Sequence, residues 1–334
     1  MLHRIIFTFL LAGVQLVLPA QQKAGPVNII FDSDMGPDYD DAGAISLLHA
    51  FADSGYVKIL ATVASTKYKG VAGVLNVFNT YFNRPGLPVG VPKGAALELR
   101  DKQHWTDTLL ANYPHKIKTN DEAQDAIEVY RKILSAQPDK SVTIVTVGFL
   151  TNLANLLSSP ADKYSALPGT KLVEKKVKQL VCMAGRFPSG SEFNVDRDPA
   201  ASQIVFSRWP TAVLLSGFEI GQKIKTGLPL VHNDTITHSP VKDVFRISIP
   251  LDPQDSAGRM SWDETAVLIA VKGYAPWYNV VKGKMIVDEK GRNSWSTESQ
   301  IHHYIVERES PVVVEAIINR LMMHQPGKKR KTRL

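Results

Sequence analysis

Cysteine is almost absent from this chain. Cys182 stands alone among 334 residues, so no intramolecular disulfide can form, and no Cys/His spacing suggests zinc. Its setting, Gln179-Leu180-Val181-Cys182-Met183, marks it as a buried strand residue behaving as a small hydrophobe. Long apolar runs are scarce as well. Ile5 to Leu18 carries no charge, yet it falls short of the ~20 apolar residues that a membrane span needs. A basic surface is also lacking, although the formal charge is +7. Lys328, Lys329, Arg330, Lys331 and Arg333 crowd the last seven residues, Arg4 lies near the start, and removing those six leaves +1. Such a body offers no basic stripe for nucleic acid. Neither a Gly-x-Ser-x-Gly elbow nor a P-loop occurs, which speaks against Ser-His-Asp catalysis and against phosphate cradling of the P-loop kind.

What is present begins with a targeting pattern. Met1-Leu2-His3-Arg4 is a short basic start, the apolar run follows, and Leu18-Pro19-Ala20 offers small-residue cleavage before Gln21. A secretory signal peptide over 1–20 is expected, placing the mature chain in the periplasm or outside the cell. Residues 326–334, after Pro326-Gly327, form a basic tail expected to be solvated and disordered. No internal repeat and no Pro/Ser-rich linker divides the rest, so one domain is expected over 24–325.

Within it, apolar runs at Val27–Phe31, Val57–Val63, Val89–Val91, Val142–Val147, Lys178–Met183 and Thr211–Leu215 are predicted strands. Helical spacing falls at 42–51, 71–82, 121–135, 150–157, 265–271 and 311–323. Residues 98–120 show no clear period and are predicted to be an irregular functional loop. Alternation of this kind predicts an α/β fold with a mostly parallel open sheet flanked by helices. Ligands then bind beyond the carboxyl ends of the strands.

One such end is dense in acid. Asn28-Ile29-Ile30-Phe31 runs into Asp32-Ser33-Asp34-Met35-Gly36-Pro37-Asp38-Tyr39-Asp40-Asp41-Ala42, five carboxylates within ten residues. Like charges packed this closely repel unless a cation is present, and oxygen donors suit Ca²⁺ or Mg²⁺. A solvated acidic loop capping a helix is the alternative reading. The spacing is not that of an EF-hand.

This segment resembles the N-terminal Asp-Thr-Asp-Pro-Gly-x-Asp-Asp-Ala motif of the nucleoside hydrolase family. Met35 stands where the family has proline, and the loop is two residues longer. Thr146-Val147-Gly148-Phe149-Leu150-Thr151-Asn152-Leu153 is similar to the family's Gly-Pro-Leu-Thr-Asn turn. Glu192-Phe193-Asn194 followed by Asp198-Pro199-Ala200 resembles its Glu-Phe-Asn…Asp-Pro stretch, and Ser261-Trp262-Asp263 sits at its late aspartate. The resemblance implies the single-domain nucleoside hydrolase-like fold and hydrolysis of ribonucleosides to base and ribose. It implies Ca²⁺ held by Asp34, Asp41, Asp263 and the carbonyl of Val147, and Asp34 as base for a water on that ion. Asp40 and Asn194 would meet the ribose hydroxyls, Glu192 the 5′ side, and Trp262 the base. His104 and Trp105 are candidate second-side contacts. Between Gly185 and Glu192 the chain is short and lacks the asparagine that the family uses for the 5′ hydroxyl. That departure points to another N-riboside or a modified nucleoside as an alternative substrate, and a non-catalytic calcium-dependent binder is a third reading. A small-molecule nucleoside is the implied partner, with no nucleic acid, no stable membrane insertion, and a homodimer or homotetramer as in the family.

Overall fold

A computed structural model describes residues 25–327. The expected signal peptide and nearly all of the basic tail lie outside the described residues. Among the described residues, no helix is long and apolar enough to cross a membrane.

Thirteen strands occur in this part of the chain: β1 Val27–Ser33, β2 Val57–Ala64, β3 Val89–Val91, β4 Gln124–Asp125, β5 Val142–Thr146, β6 Val177–Met183, β7 Gly190–Ser191, β8 Ala212–Ser216, β9 Lys225–Thr226, β10 Arg259–Met260, β11 Tyr278–Val287, β12 Arg292–Ser296 and β13 His302–Glu307. Eleven of them form one sheet in the order β4-β3-β2-β1-β5-β6-β8-β13-β11-β12-β7, while β9 and β10 pair separately. Every pairing from β4 across to β13 is parallel. The run β13-β11-β12-β7 is antiparallel.

The central strands read as continuous apolar runs because both faces of the sheet are covered. Alternate residues go to opposite faces. Ile29 and Phe31 of β1, with Val145 of β5 and Val181 of β6, join one apolar cluster, which also holds residues of the helices Asp40–Asp53, Val71–Tyr81 and Trp262–Lys272. Ile30, Ile144, Leu180 and Cys182 join the other, with residues of the helices Ala126–Ser135, Thr151–Ser158 and Pro199–Arg208. Cys182 is fully buried in β6, as expected. The mostly parallel sheet with helices on both faces is the architecture that the alternating pattern predicted.

Three boundaries differ in instructive ways. The segment 98–120 is not wholly irregular, because it contains the helix Trp105–Asn112, whose Trp105 is fully buried. The expected helix 121–135 starts only at Ala126. Asp125 is its cap, with its carboxylate accepting from the Ile127 and Glu128 N–H groups at 2.9 and 3.2 Å. The helix expected from Thr265 begins at Trp262, so Trp262 and Asp263 lie in its first turn.

Candidate active site

Parallel strands place their carboxyl ends on one edge of the sheet, and four of these ends build the site. The turns after β1, β5 and β8, and the segment that leaves β6 and passes through β7, bring Asp34, Val147, Phe218 and Glu192–Asn194 to one cleft, which Asp40, Asp41, Trp262 and Asp263 also line. Every metal-binding, catalytic and sugar-binding position implied by the resemblance therefore reaches the same space. Asp38, Met183 and Phe193 complete its lining.

The turns are tied together by short polar links. Val147 N–H donates to the Asp32 carbonyl at 2.8 Å, Ser65 N–H to the Ser33 carbonyl at 2.9 Å, and Phe149 N–H to Ser65 Oγ at 3.0 Å. Gly148 is demanded by this crowding, since a Cβ there would stand 2.3 Å from the Asp34 nitrogen and 2.5 Å from Ser65 Oγ. The exchange of proline for Met35 has a local cause. Met35 has φ +22°, which the proline ring forbids. Its N–H donates to Ser33 Oγ at 3.0 Å and to Asp41 Oδ1 at 3.1 Å, a bond that proline cannot make. The Tyr68 hydroxyl donates to the Met35 carbonyl at 2.6 Å.

Asp32 is a support beneath the cleft rather than one of its lining groups. Its Oδ2 accepts from Tyr130 Oη at 2.7 Å and from Asn152 Nδ2 at 3.0 Å. The same Asn152 amide bonds the Ala64 carbonyl at 2.8 Å, joining β1 to β2. Burial pushes the Asp32 carboxyl up to about 7, against the two hydrogen bonds that lower it.

Four aspartate carboxyls of the cleft are pushed above their usual range. Burial is the largest cause for Asp34, Asp40, Asp41 and Asp263, and repulsion by neighbouring carboxylates adds to it in each case. For Asp41 the result is about 8. Its Oδ1 accepts from Ser33 Oγ, but its Oδ2 is buried with no hydrogen-bond partner. Glu264, next in line, is fully buried with both oxygens unpartnered, and its carboxyl is likewise pushed well up by burial.

These observations bear on a metal. Among the described residues, no group of three acidic, histidine or cysteine side chains is arranged so that it could by itself hold a metal ion. What the cleft does offer is donor chemistry: carboxylate and carbonyl oxygens, an excess of buried negative charge, and an orphaned carboxylate oxygen on Asp41. A hard divalent cation suits that set, and removing like-charge repulsion is what it would contribute.

Sequence reasoning missed a positive charge that enters the cluster. Arg259 of β10 is buried, and it donates through Nε and Nη2 to Asp40 Oδ1 at 3.1 and 2.8 Å. It also reaches Asp38 at 3.0 Å and Asp255 at 3.5 Å. The guanidinium lies over the Tyr39 ring at 4.7 Å and the Trp262 ring at 5.1 Å. The Trp262 and Asp263 N–H groups donate to Asp40 Oδ2 at 3.2 and 3.3 Å. Asp40, assigned by resemblance to the ribose hydroxyls, is thus already clamped between a guanidinium and a helix N-terminus.

The remaining sugar-side positions are equally held. Asn194 Nδ2 donates to the carbonyls of Val147 and Met183, each at 3.2 Å. Glu192 accepts from Asn194 N–H at 2.9 Å and from Gly185 N–H at 3.1 Å. Burial pushes its carboxyl up to about 7. Trp262 Nε1 donates to the Phe218 carbonyl at 2.8 Å, and the two rings lean together at 5.1 Å. His104 and Trp105 do not line the cleft. Trp105 belongs to the core, and His104 pairs with Asp107 at 3.2 Å.

Residues 29–314 match the family model described as inosine-uridine preferring nucleoside hydrolase. The chain belongs to the nucleoside hydrolase family. It is 29% identical over 233 residues to the inosine-uridine preferring nucleoside hydrolase of Leishmania major, covering 66% of this chain and 67% of that one. It is 28% identical over 235 residues to a pyrimidine-specific ribonucleoside hydrolase RihA of a Shewanella strain, covering 67% and 65%. The matched segments span about two thirds of these relatives. Among solved structures, the inosine-uridine preferring nucleoside hydrolase from Bacillus anthracis superposes with a TM-score of 0.69 at 17% identity, covering 89% of this chain and 99% of that one. A purine-preferring ribonucleoside hydrolase from Gardnerella vaginalis gives 0.69 at 17%, covering 88% and 98%. The fold is therefore that of the nucleoside hydrolases, a family of N-ribosyl hydrolases that generally use a divalent metal.

Proposed function

We propose that this chain hydrolyses the N-glycosidic bond of ribonucleosides, with Ca²⁺ in the acidic cleft and Asp34 as the general base. The observation that carries the reading is the gathering of Asp34, Asp41, Asp263 and Val147, from widely separated parts of the chain, into one cleft. Those three carboxylates and the Val147 carbonyl would hold the ion. When bound, a divalent cation supplies the positive charge that acidifies water and grips vicinal hydroxyls.

The chain's own residues account for the rest. Asp34 takes a proton from the attacking water. Cleavage develops positive charge on the sugar, and the surrounding carboxylates stabilise charge that appears only in the transition state. Asp40 and Asn194 orient the ribose, and Glu192 faces its 5′ side. Trp262 and Phe218 form an aromatic wall on which a base can stack. Relatives differ in base preference, being described as inosine-uridine preferring, pyrimidine-specific and purine-preferring. An aromatic wall is compatible with any of these, and among the described residues no histidine lines the cleft to serve as an acid for the leaving base. The apolar segment before Gln21 supports export with cleavage after Ala20.

A reducing-sugar assay over a panel of nucleosides, with and without chelator, tests the reading. Turnover is expected with calcium and not after chelation. Asp34→Ala is expected to lower kcat by ~10²–10⁴-fold while the variant stays folded, because the substitution removes a buried like charge. Near-normal turnover in Asp34→Ala would sink the assignment of the base.

A further inference from the structure

The loop Arg186–Ser191 replaces the segment in which the family keeps its 5′-hydroxyl contact, and it is built rather than merely short. Arg186 N–H donates to Asn293 Oδ1 at 2.8 Å, and Asn293 Nδ2 returns a bond to the Arg186 carbonyl at 2.7 Å. Phe187 N–H donates to Glu219 Oε2 at 3.1 Å, and the Phe187 ring stacks on Tyr304 at 4.3 Å. Residues of β12, β13 and the turn after β8 therefore fix the backbone from outside the loop.

The Arg186 side chain is fixed as well. Its stem lies on Gly190, where a Cβ would stand 2.6 Å from Arg186 Cδ and 2.9 Å from its Cβ. Its guanidinium sits 3.9 Å from the centre of the Phe218 ring, which lines the cleft. Stacking uses the faces of the guanidinium and leaves its N–H edges free. Among the described residues those edges take no hydrogen bond or ion pair; the nearby Glu219 carboxylate accepts from the Phe187 N–H through Oε2, and the Arg186 charge acts on it only at longer range, opposing the upward push of burial on its carboxyl. Other arginines near the cleft differ. Arg197 lies over Phe193 but has Asp196 at 3.6 Å, and Arg100 is paired with Asp101 and Asp107. An exposed arginine held in one place with its whole donor fork unspent suits a phosphoryl group.

We infer that Arg186 is an anion-recognition residue at the mouth of the cleft, and that the preferred substrate is a ribonucleoside carrying a phosphoryl group at C5′. The position follows from connectivity. Arg186 directly follows Gly185, whose N–H is held by Glu192, the residue that the proposed function sets on the 5′ side; the inference rests on that reading for the word 5′. Chemically the reaction is unchanged. Water's oxygen bonds to C1′ as the C1′–N bond breaks; one water proton passes to Asp34 and from there to solvent, the other stays on the new C1′ hydroxyl, the base departs with the bonding electron pair and takes up one proton from solvent, and ribose 5-phosphate is released in place of ribose.

Two measurements on the calcium-loaded protein test this. Calorimetric titration compares ribose with ribose 5-phosphate, and hydrolysis compares a nucleoside with its 5′- and 3′-monophosphates. Ribose 5-phosphate is expected to bind at least tenfold more tightly than ribose, and the 5′-monophosphate to show at least a tenfold higher kcat/KM than the other two. Arg186→Ala should bring both ratios within threefold of unity. Gly190→Ala, which displaces the stem without removing the charge, should lower both ratios in the same direction. Equal binding of the two sugars, a preference for the 3′-monophosphate, or a preference that survives in Arg186→Ala each overturns the inference. Failure of the hydrolase reading looks different: no compound is cleaved, while the sugar-phosphate preference and its dependence on Arg186 persist.

Discussion

Among the described residues, two buried arginines hold carboxylates, and their surroundings are opposites. Arg131, in the helix Ala126–Ser135, donates to Asp162 Oδ1 at 3.0 Å, Ser159 Oγ at 2.8 Å, and the carbonyls of Ser165 and Leu167 at 3.1 and 3.0 Å. One charge meets one charge, and neutral acceptors take the other donors. Arg259 is shared by Asp38, Asp40 and Asp255, beneath a further set of carboxyls that it does not reach. The first arrangement staples a loop to a helix. The second leaves the region around it with an excess of negative charge, which is unfavourable for folding and suited to binding a cation. The comparison teaches that burial of charge separates structure from function only once the acceptors are counted.

The sharpest way to break this contrast is to remove each arginine. Arg259→Met leaves Asp40 buried without its counter-charge, and Asp40 also bonds the first turn that carries Trp262 and Asp263. A loss in kcat/KM of ~100-fold is expected, the size of a lost charge-assisted contact. Arg259→Lys should recover part of it, because a point charge replaces some of the bidentate hold. Wild-type kinetics in Arg259→Met would mean that the arginine only fills space. Arg131→Met should do the reverse. Nucleoside kinetics stay within about twofold, while denaturant unfolding shows a loss of about 2 kcal/mol, below the usual cost of breaking a fully buried pair because Asp162 is partly exposed. A large kinetic effect there would erase the distinction drawn above.

The smallest effect concerns a third buried polar site, away from the cleft. His49 stacks on Phe82 at 4.7 Å, and its Nε2 lies 3.1 Å from Asn79 Oδ1. Burial, followed by the charge of Arg84, pushes the imidazole down to about 3. The sign follows from that depression. The folded state binds fewer protons than the unfolded state, so the contribution is fully present above about 6.5 and is lost as pH falls towards 3. His49→Phe should cost about 1 kcal/mol at pH 7 by unpairing Asn79. It should also flatten the decline in unfolding free energy between pH 6.5 and 3. An unchanged slope would show that other groups set the acid limb.

Much of the fold was legible because its central strands are unusual. Val27–Ser33, Val57–Ala64 and Val142–Thr146 are buried on both faces, and a continuous β-branched run needs no partner to be recognised. The strands β11 to β13 were not legible for the opposite reason. They mix Lys282, Lys284, Asn293 and His303 with apolar residues, and only antiparallel pairing at the far side of the sheet makes sense of the pattern. Helix Trp105–Asn112 hid because it is short and begins after His104 in a left-handed conformation, with none of the usual capping signals.

Local chemistry in the sequence determined the strand-to-acid turns, the helices that follow them, and the residues carried to the cleft, because each depends on neighbours within a dozen positions. Tertiary structure alone decided how those residues are balanced. Arg259 meets Asp40 across 219 residues, Asn293 pins Arg186 across 107, and Asn152 braces Asp32 across 120. A side chain's charge is written in its letter, but which charge it faces, and whether any water or ion is left to face it, is set only when distant strands are laid side by side.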